Sequence, residues 1–176
     1  MTTVLLLIDY QARLMPAIDH DAQVVSNGVM LAKAARSLGL EAWATEQNPA
    51  GLGPNVAEIT SLVSQTLSKM YFDATREPGF VEALNALPGE THWVVAGCEA
   101  HVCMMQTALG LLREGFTVDV IEDASGSRRA SDKSAGMRIL RRAGATIKTT
   151  EMVIFEWLQT CEHPRFREVL KIIKAG

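Results

Sequence analysis

The feature that most narrows the fold is an alternation running the length of the chain. Short runs of β-branched and aliphatic residues are each followed by a longer segment of helical period. Residues 3–8 are almost wholly apolar and stop at Asp9, the pattern of a strand buried on both faces. Over residues 21–38, Val24, Gly28, Leu31, Ala35 and Leu38 recur at steps of four and three. They form one stripe of an amphipathic helix, with Gly39 placed to cap it. Residues 40–45 read as a second strand, and residues 48–54, dense in Pro and Gly, as a loop. A helical stretch through Val56, Ile59 and Val63 precedes a short strand at residues 66–69, and Pro78 opens a helix reaching residue 87. Further strands are predicted at residues 92–96, 116–121 and 145–148. Between them lie a helix with Val102, Met105, Leu109 and Leu112 on its inner face and another running from a Ser131 cap to Ala143. Phe166, Val169, Leu170 and Ile173 mark a closing helix. Such a chain predicts an α/β fold with a parallel sheet covered on both sides, and right-handed crossovers favour a doubly wound topology.

Composition bounds the rest. With 176 residues, 48% hydrophobic and 21% charged, the chain can bury a core as one domain over residues 1–176 and is neither disordered nor a disulfide scaffold. A net charge of -3 offers no basic surplus for nucleic acid. No apolar run approaches the ~20 residues that cross a bilayer, so no membrane partner is expected. The start of the chain does not read as an export signal. Three cysteines, an odd number, point to a reducing compartment, and a cytoplasmic location is expected.

In an open α/β sheet, ligands bind beyond the carboxyl ends of the strands, where strand order reverses. Reactive residues at strand ends are therefore the candidates: Asp9 after the first strand, Lys69 after the third, and Cys103 in the first helical turn after the fourth. Each alone has a plainer reading: Asp9 as a turn residue, Lys69 as a solvated cation, Cys103 as a small buried hydrophobe. A helix N-terminus carries partial positive charge and lowers a thiol's pKa, which favours Cys103 as a nucleophile. His101 is an alternative base for Cys103. Cys98, His101 and Cys103 match no common zinc spacing, and the four residues between Cys98 and Cys103 do not make the Cys-x-x-Cys of a thiol-redox site. Gly51-Leu52-Gly53 lacks the rest of a dinucleotide fingerprint. Trp43 reads as core, and Tyr71 fits core or pocket equally.

The stretch Gly97-Cys98-Glu99-Ala100-His101-Val102-Cys103-Met104-Met105-Gln106-Thr107-Ala108 resembles the nucleophile motif of the isochorismatase-like cysteine hydrolases, a family that includes nicotinamidases and carbamoylsarcosine amidohydrolases. Leu7-Ile8-Asp9-Tyr10-Gln11 is similar to that family's first-strand motif, Lys69 stands where its catalytic lysine stands, and Asp123-Ala124 resembles its acidic-small pair. The resemblance spans the full chain. It implies a three-layer α/β/α sandwich with strand order 3-2-1-4-5-6 and an Asp9-Lys69-Cys103 triad. It also implies an oxyanion hole from the backbone N–H groups of Glu99 and Cys103, and a cis peptide at Cys98-Glu99.

The nicotinamidase branch carries an Asp-x-His…His metal cluster where this chain has Glu46, Gln47 and Asn48, with no histidine between His20 and His92. No metal or other cofactor is therefore expected. Members that cleave isochorismate lack the nucleophilic cysteine, so Cys103 speaks against vinyl-ether hydrolysis. The expected activity is hydrolysis of a C–N bond in a small amide through an acyl-cysteine, in a homo-oligomer. Leu14, Gln47, Met70 and Tyr71 are candidate substrate contacts. A thiol-redox protein using Cys98 and Cys103, or a non-catalytic binding module of the same fold, are the competing readings.

Overall fold

A computed structural model describes residues 2–176. Strands β1 (Thr2–Ile8), β2 (Glu41–Gln47), β3 (Gln65–Lys69), β4 (Thr91–Gly97), β5 (Thr117–Ile121) and β6 (Thr146–Lys148) form one sheet in the order β3-β2-β1-β4-β5-β6. Every pairing is parallel. Helices α1 (Asp21–Ser37), α2 (Pro49–Leu52), α3 (Ala57–Thr60), α4 (Pro78–Asn85), α5 (Cys103–Arg113), α6 (Ala130–Ala143), α7 (Thr150–Leu158) and α8 (Phe166–Lys174) fill the connections. The expected strand order is observed. Among the described residues no helix is long and apolar enough to cross a membrane.

The alternation of side chains along each strand divides the interior into two cores. Leu5 and Leu7 of β1 and Val94, Ala96 and Cys98 at β4 face α1, α3, α7 and α8. Val4, Leu6 and Ile8, with Trp93 and Val95, face α4, α5 and α6. The second core is anchored by aromatic rings from three elements. Trp93 meets Trp43 edge-on at 5.4 Å between centroids and packs against Phe80 of α4 at 6.0 Å, within the range where such pairs add stability beyond area burial. Trp43 is accordingly core, whereas Tyr71 is exposed.

Three details depart from the sequence pattern. The Pro- and Gly-rich segment after β2 contains one helical turn, α2, because Pro49 at its first position is already set to a helical φ. Helix α6 starts at Ala130 without a side-chain cap from Ser131. On α5 the buried stripe is Cys103, Met104, Thr107, Ala108 and Leu111, while Val102, Met105, Leu109 and Leu112 flank it half-buried. Two apolar stripes compete on this helix, and the one with the smaller residues wins because they let the helix approach its neighbours closely. A Cβ on Gly110 would come within 2.3 Å of Thr75 Oγ1.

The end of β4 is held tightest. Gly97 has φ +142, and a Cβ there would meet the Ile8 carbonyl oxygen at 2.1 Å. Gly97→Ala should therefore cost about 3 kcal/mol or more in urea unfolding; a near-neutral effect would show that β1 and β4 can part at this point.

Within the sheet, the buried Asp119 carboxylate receives Lys148 Nζ at 2.7 Å, and His92 Nε2 approaches to 2.9 Å without meeting hydrogen-bond angles. Burial alone would raise the Asp119 carboxyl, but His92 and Lys148 outweigh it and hold it below its ordinary value. A carboxyl held low stabilises the fold above its unfolded pKa, and that contribution is lost as pH falls through the folded one. Asp119→Asn should thus be less stable than wild type at neutral pH and decline less steeply below about pH 4. An acid decline as steep as wild type in urea titrations would place the titrating charge elsewhere.

Candidate active site

The switch point of the sheet lies between β1 and β4, and the three expected reactive residues meet beside it. Strand alternation alone would point Asp9 with Leu5 and Leu7 toward the α1 side. Asp9 instead adopts a left-handed backbone, φ 54, a conformation aspartate tolerates better than most residues. Its side chain comes to the opposite face. There Oδ1 accepts from Thr45 Oγ1 at 2.7 Å and Oδ2 from Lys69 Nζ at 2.8 Å. Asp9 and Lys69 form an ion pair with side chains 0% and 1% exposed.

Cys103 opens α5 on this same face, buried at 7% exposure. Its Sγ lies 3.8 Å from Gln47 Oε1, and the same oxygen accepts from Lys69 Nζ at 2.6 Å. Gln47 donates its Nε2 to the Met70 carbonyl at 2.8 Å. The Gln47 backbone is clasped by the buried Gln11, which accepts from its N–H at 2.8 Å and donates to its carbonyl at 2.9 Å. Gln47 is expected from the sequence only as a substrate contact, Gln11 only as the end of the first-strand motif, and Thr45 carries no functional signal. The register that places Thr45 beside Ile8 and Gln47 beside Lys69 could have singled out both β2 residues, since they share a face with Trp43.

The thiol's state differs from the sequence expectation. Burial pushes the Cys103 pKa up to about 12, the Asp9 carboxylate adds to the rise, and Lys69 pulls against both. Burial is the largest cause of the rise, so the Cys103 thiol favours its protonated form rather than the thiolate expected of a helix N-terminus.

The segment entering α5 is held residue by residue by the chain after β5. Gly97 donates its N–H to Ser125 Oγ at 3.2 Å, Ala100 its N–H to the Gly126 carbonyl at 2.8 Å, and Arg128 both N–H and Nε to the Glu99 carboxylate at about 3 Å. The Cys98–Glu99 peptide bond is cis. The backbone N–H groups of Glu99 and Cys103 donate to no backbone carbonyl among the described residues.

Several alternatives are placed elsewhere. His101 Nδ1 pairs with Ser127 Oγ at 2.8 Å and its Nε2 lies 3.8 Å from Asp132, so it is oriented by those groups and not by Cys103. Cys98 faces the α1-side core, with Sγ 3.8 Å from Met15 Sδ, while Cys103 belongs to the opposite core. The sheet separates the two thiols, which removes the geometric basis of a Cys98–Cys103 redox pair. Glu46 accepts the Asn55 N–H at 2.8 Å, and Gln47 is committed within the site. No cluster of three His, Cys, Asp or Glu able to hold a metal occurs among the described residues. Asp123 accepts from the N–H and hydroxyl of Thr150, anchoring the start of α7.

Of the other candidate contacts, Leu14 packs half-buried against the α1-side core. Met70 and Tyr71 are exposed at 64% and 53%, followed by Phe72 at 52%. These three, with Gln106 and Arg113, line a groove of about 400 Å³ along α5.

Comparison with known proteins places the chain in a family. The Isochorismatase domain matches residues 3–152. Isochorismatase domain-containing protein 1 of Danio rerio is 37% identical over 99% of this chain, which spans 62% of that relative's length. The MAR1 ribonuclease of Caenorhabditis elegans superposes with a TM-score of 0.91 at 30% identity, covering 98% of this chain and 90% of the other. YcaC from Pseudomonas aeruginosa, solved with hexane-2,5-diol and covalent acrylamide, superposes with a TM-score of 0.83 at 25% identity, covering 99% and 94%. A domain match over most of the chain and a relative sharing more than a third of its residues establish that this protein belongs to the isochorismatase-domain family.

Proposed function

We propose that this protein is a hydrolase that cleaves the C–N bond of a small amide through an acyl intermediate on Cys103. One observation carries the reading: a buried Asp9–Lys69 ion pair at 2.8 Å shares a face and a hydrogen-bonding partner with a cysteine at the start of a helix. A structural role alone explains such a pair poorly, since replacing a buried ion pair by packed apolar residues is often neutral or stabilising.

In this mechanism Asp9 takes the Cys103 proton as the sulfur attacks the substrate carbonyl carbon. A base is needed because the thiol is pushed up to about 12. Lys69 offsets the anionic charge that passes between sulfur and carboxylate. The developing oxyanion sits on the N–H groups of Glu99 and Cys103, a contribution on the order of 3 kcal/mol per donor. Asp9 then returns its proton to the leaving nitrogen as the C–N bond breaks and the thioester forms. Water, deprotonated by Asp9, attacks the thioester and releases the acid and the free thiol. The acrylamide bound covalently in YcaC supports an electrophile-accepting site, because acrylamide carries both an amide and a carbon that thiols attack.

The MAR1 relative bears the name ribonuclease. A net charge of -3 and a nucleophile set for acyl chemistry favour a small amide here over a polyanion. A homo-oligomer in a cytoplasmic setting, and one domain spanning residues 1–176, complete the proposal.

Against the amide it hydrolyses best, Cys103→Ser and Asp9→Asn should each lower kcat/KM by more than about a thousandfold while retaining the wild-type circular dichroism spectrum. Activity should survive exhaustive dialysis against EDTA. Restoration by zinc after loss, full activity in Cys103→Ser, or turnover of RNA that ignores Cys103 would each overturn the assignment.

A further inference from the structure

We propose that Gln47 is a positioning residue whose carboxamide oxygen holds the Lys69 ammonium and the Cys103 thiol proton at once, keeping the nucleophile protonated until an amide enters the site. The inference rests on the triad reading above and assigns to Gln47 a task that substrate contact would not require.

The geometry points to this in three steps. First, Gln47 Oε1 is an acceptor only, and it lies 2.6 Å from Lys69 Nζ and 3.8 Å from Cys103 Sγ. A hydrogen bond from the neutral thiol to this oxygen favours the S–H form, and the negative end of the amide dipole would repel a thiolate. Second, the carboxamide cannot turn over to offer its N–H₂ instead. Nε2 is fixed on the Met70 carbonyl at 2.8 Å. The backbone beneath it is clasped by Gln11, whose Nε2 is itself shared with the Gly53 carbonyl at 2.7 Å. A reversed amide would set a donor against the Lys69 ammonium, itself a donor only. Third, the charged groups on the thiol are Asp9 from β1 and Lys69 from β3, which oppose each other. Burial is the largest influence on the thiol and Asp9 outweighs Lys69, so the neutral dipole from β2 adds to a balance that already lies on the protonated side. The consequence is a cysteine that is inert to stray electrophiles in the empty site and is deprotonated by Asp9 during turnover.

The test follows iodoacetamide alkylation of Cys103 by peptide mapping at about pH 8, where the thiolate fraction, and hence the rate, changes tenfold per unit of thiol pKa. Mapping separates Cys103 from the exposed Cys161 and the buried Cys98. Gln47→Met removes the acceptor at similar volume and should be alkylated about tenfold faster. Gln47→Glu puts an anionic oxygen in the same place and should be alkylated about tenfold more slowly. Gln47→Asn, too short to reach both partners, should behave as Gln47→Met; if the Glu variant does not fold, alkylation of the buried Cys98 decides, unchanged in both variants if Gln47 acts on the Cys103 thiol and faster with Cys103 if the fold has merely loosened. A merely structural role would loosen the site and shift all three in one direction. Asp9→Asn is the control on the underlying reading: losing the carboxylate that raises the thiol should speed alkylation. If Asp9→Asn accelerates the reaction while the Gln47 variants are unchanged, or all shift together, the Gln47 assignment falls and the triad stands. If Asp9→Asn has no effect either, both fall.

Discussion

A lysine ammonium buried to 1% exposure has to be matched by fixed acceptors, and much of this site can be read as the solution to that requirement. The carboxylate that matches it comes from the residue after β1, which strand alternation would send to the other side of the sheet. The left-handed turn at Asp9 costs roughly 1–2 kcal/mol. Leaving either member of a buried ion pair unpartnered costs about 3–5 kcal/mol. The pair therefore outweighs the backbone conformation that makes it possible. Thr45 then occupies the second carboxylate oxygen, and Gln47 the second position on the ammonium. Both lie on β2 two residues apart, so the strand itself sets their spacing.

The same face explains the protonation state of Cys103. Burial disfavours the thiolate, Asp9 disfavours it further, and Lys69 favours it. A helix terminus contributes a partial positive charge that favours the thiolate, and burial remains the largest influence against it. The enzyme proposed here holds its nucleophile in reserve and spends the Asp9 base on activating it. The clamp from Ser125, Gly126 and Arg128 fixes the backbone around Glu99, whose N–H is one of the two that the proposed mechanism assigns to the oxyanion.

Much of this was legible in the sequence because it follows from period and position. The apolar run ending at Asp9, the glycine after the first helix, and the alternation of strands and helices led to a parallel α/β sheet, while the strand order and the meeting of Asp9, Lys69 and Cys103 followed from the family resemblance. Other features depend on three-dimensional detail that no period encodes. Asp9 reaches the site only through a left-handed φ. The inner face of α5 was displaced because two apolar stripes compete and residue size decides between them. Helix α7, anchored through Asp123 and Thr150, had no predicted counterpart. Gln47 read as a pocket residue because an uncharged side chain gives no sign of its partners. His101 and Cys98, plausible partners for Cys103 by proximity in sequence, are turned away, His101 by its contacts with Ser127 and Asp132 and Cys98 by the sheet.

The central claim is that Cys103 forms a covalent acyl bond during amide hydrolysis. It is tested most directly by mixing the protein with a panel of small primary and N-carbamoyl amides, quenching in acid within the first turnovers, and weighing the intact chain. The account predicts a mass increase equal to the acyl group of a hydrolysed amide, mapped to Cys103 and absent from Cys103→Ser. Hydrolysis that proceeds with no adduct in rapid-quench samples, or an adduct on another residue, would contradict it.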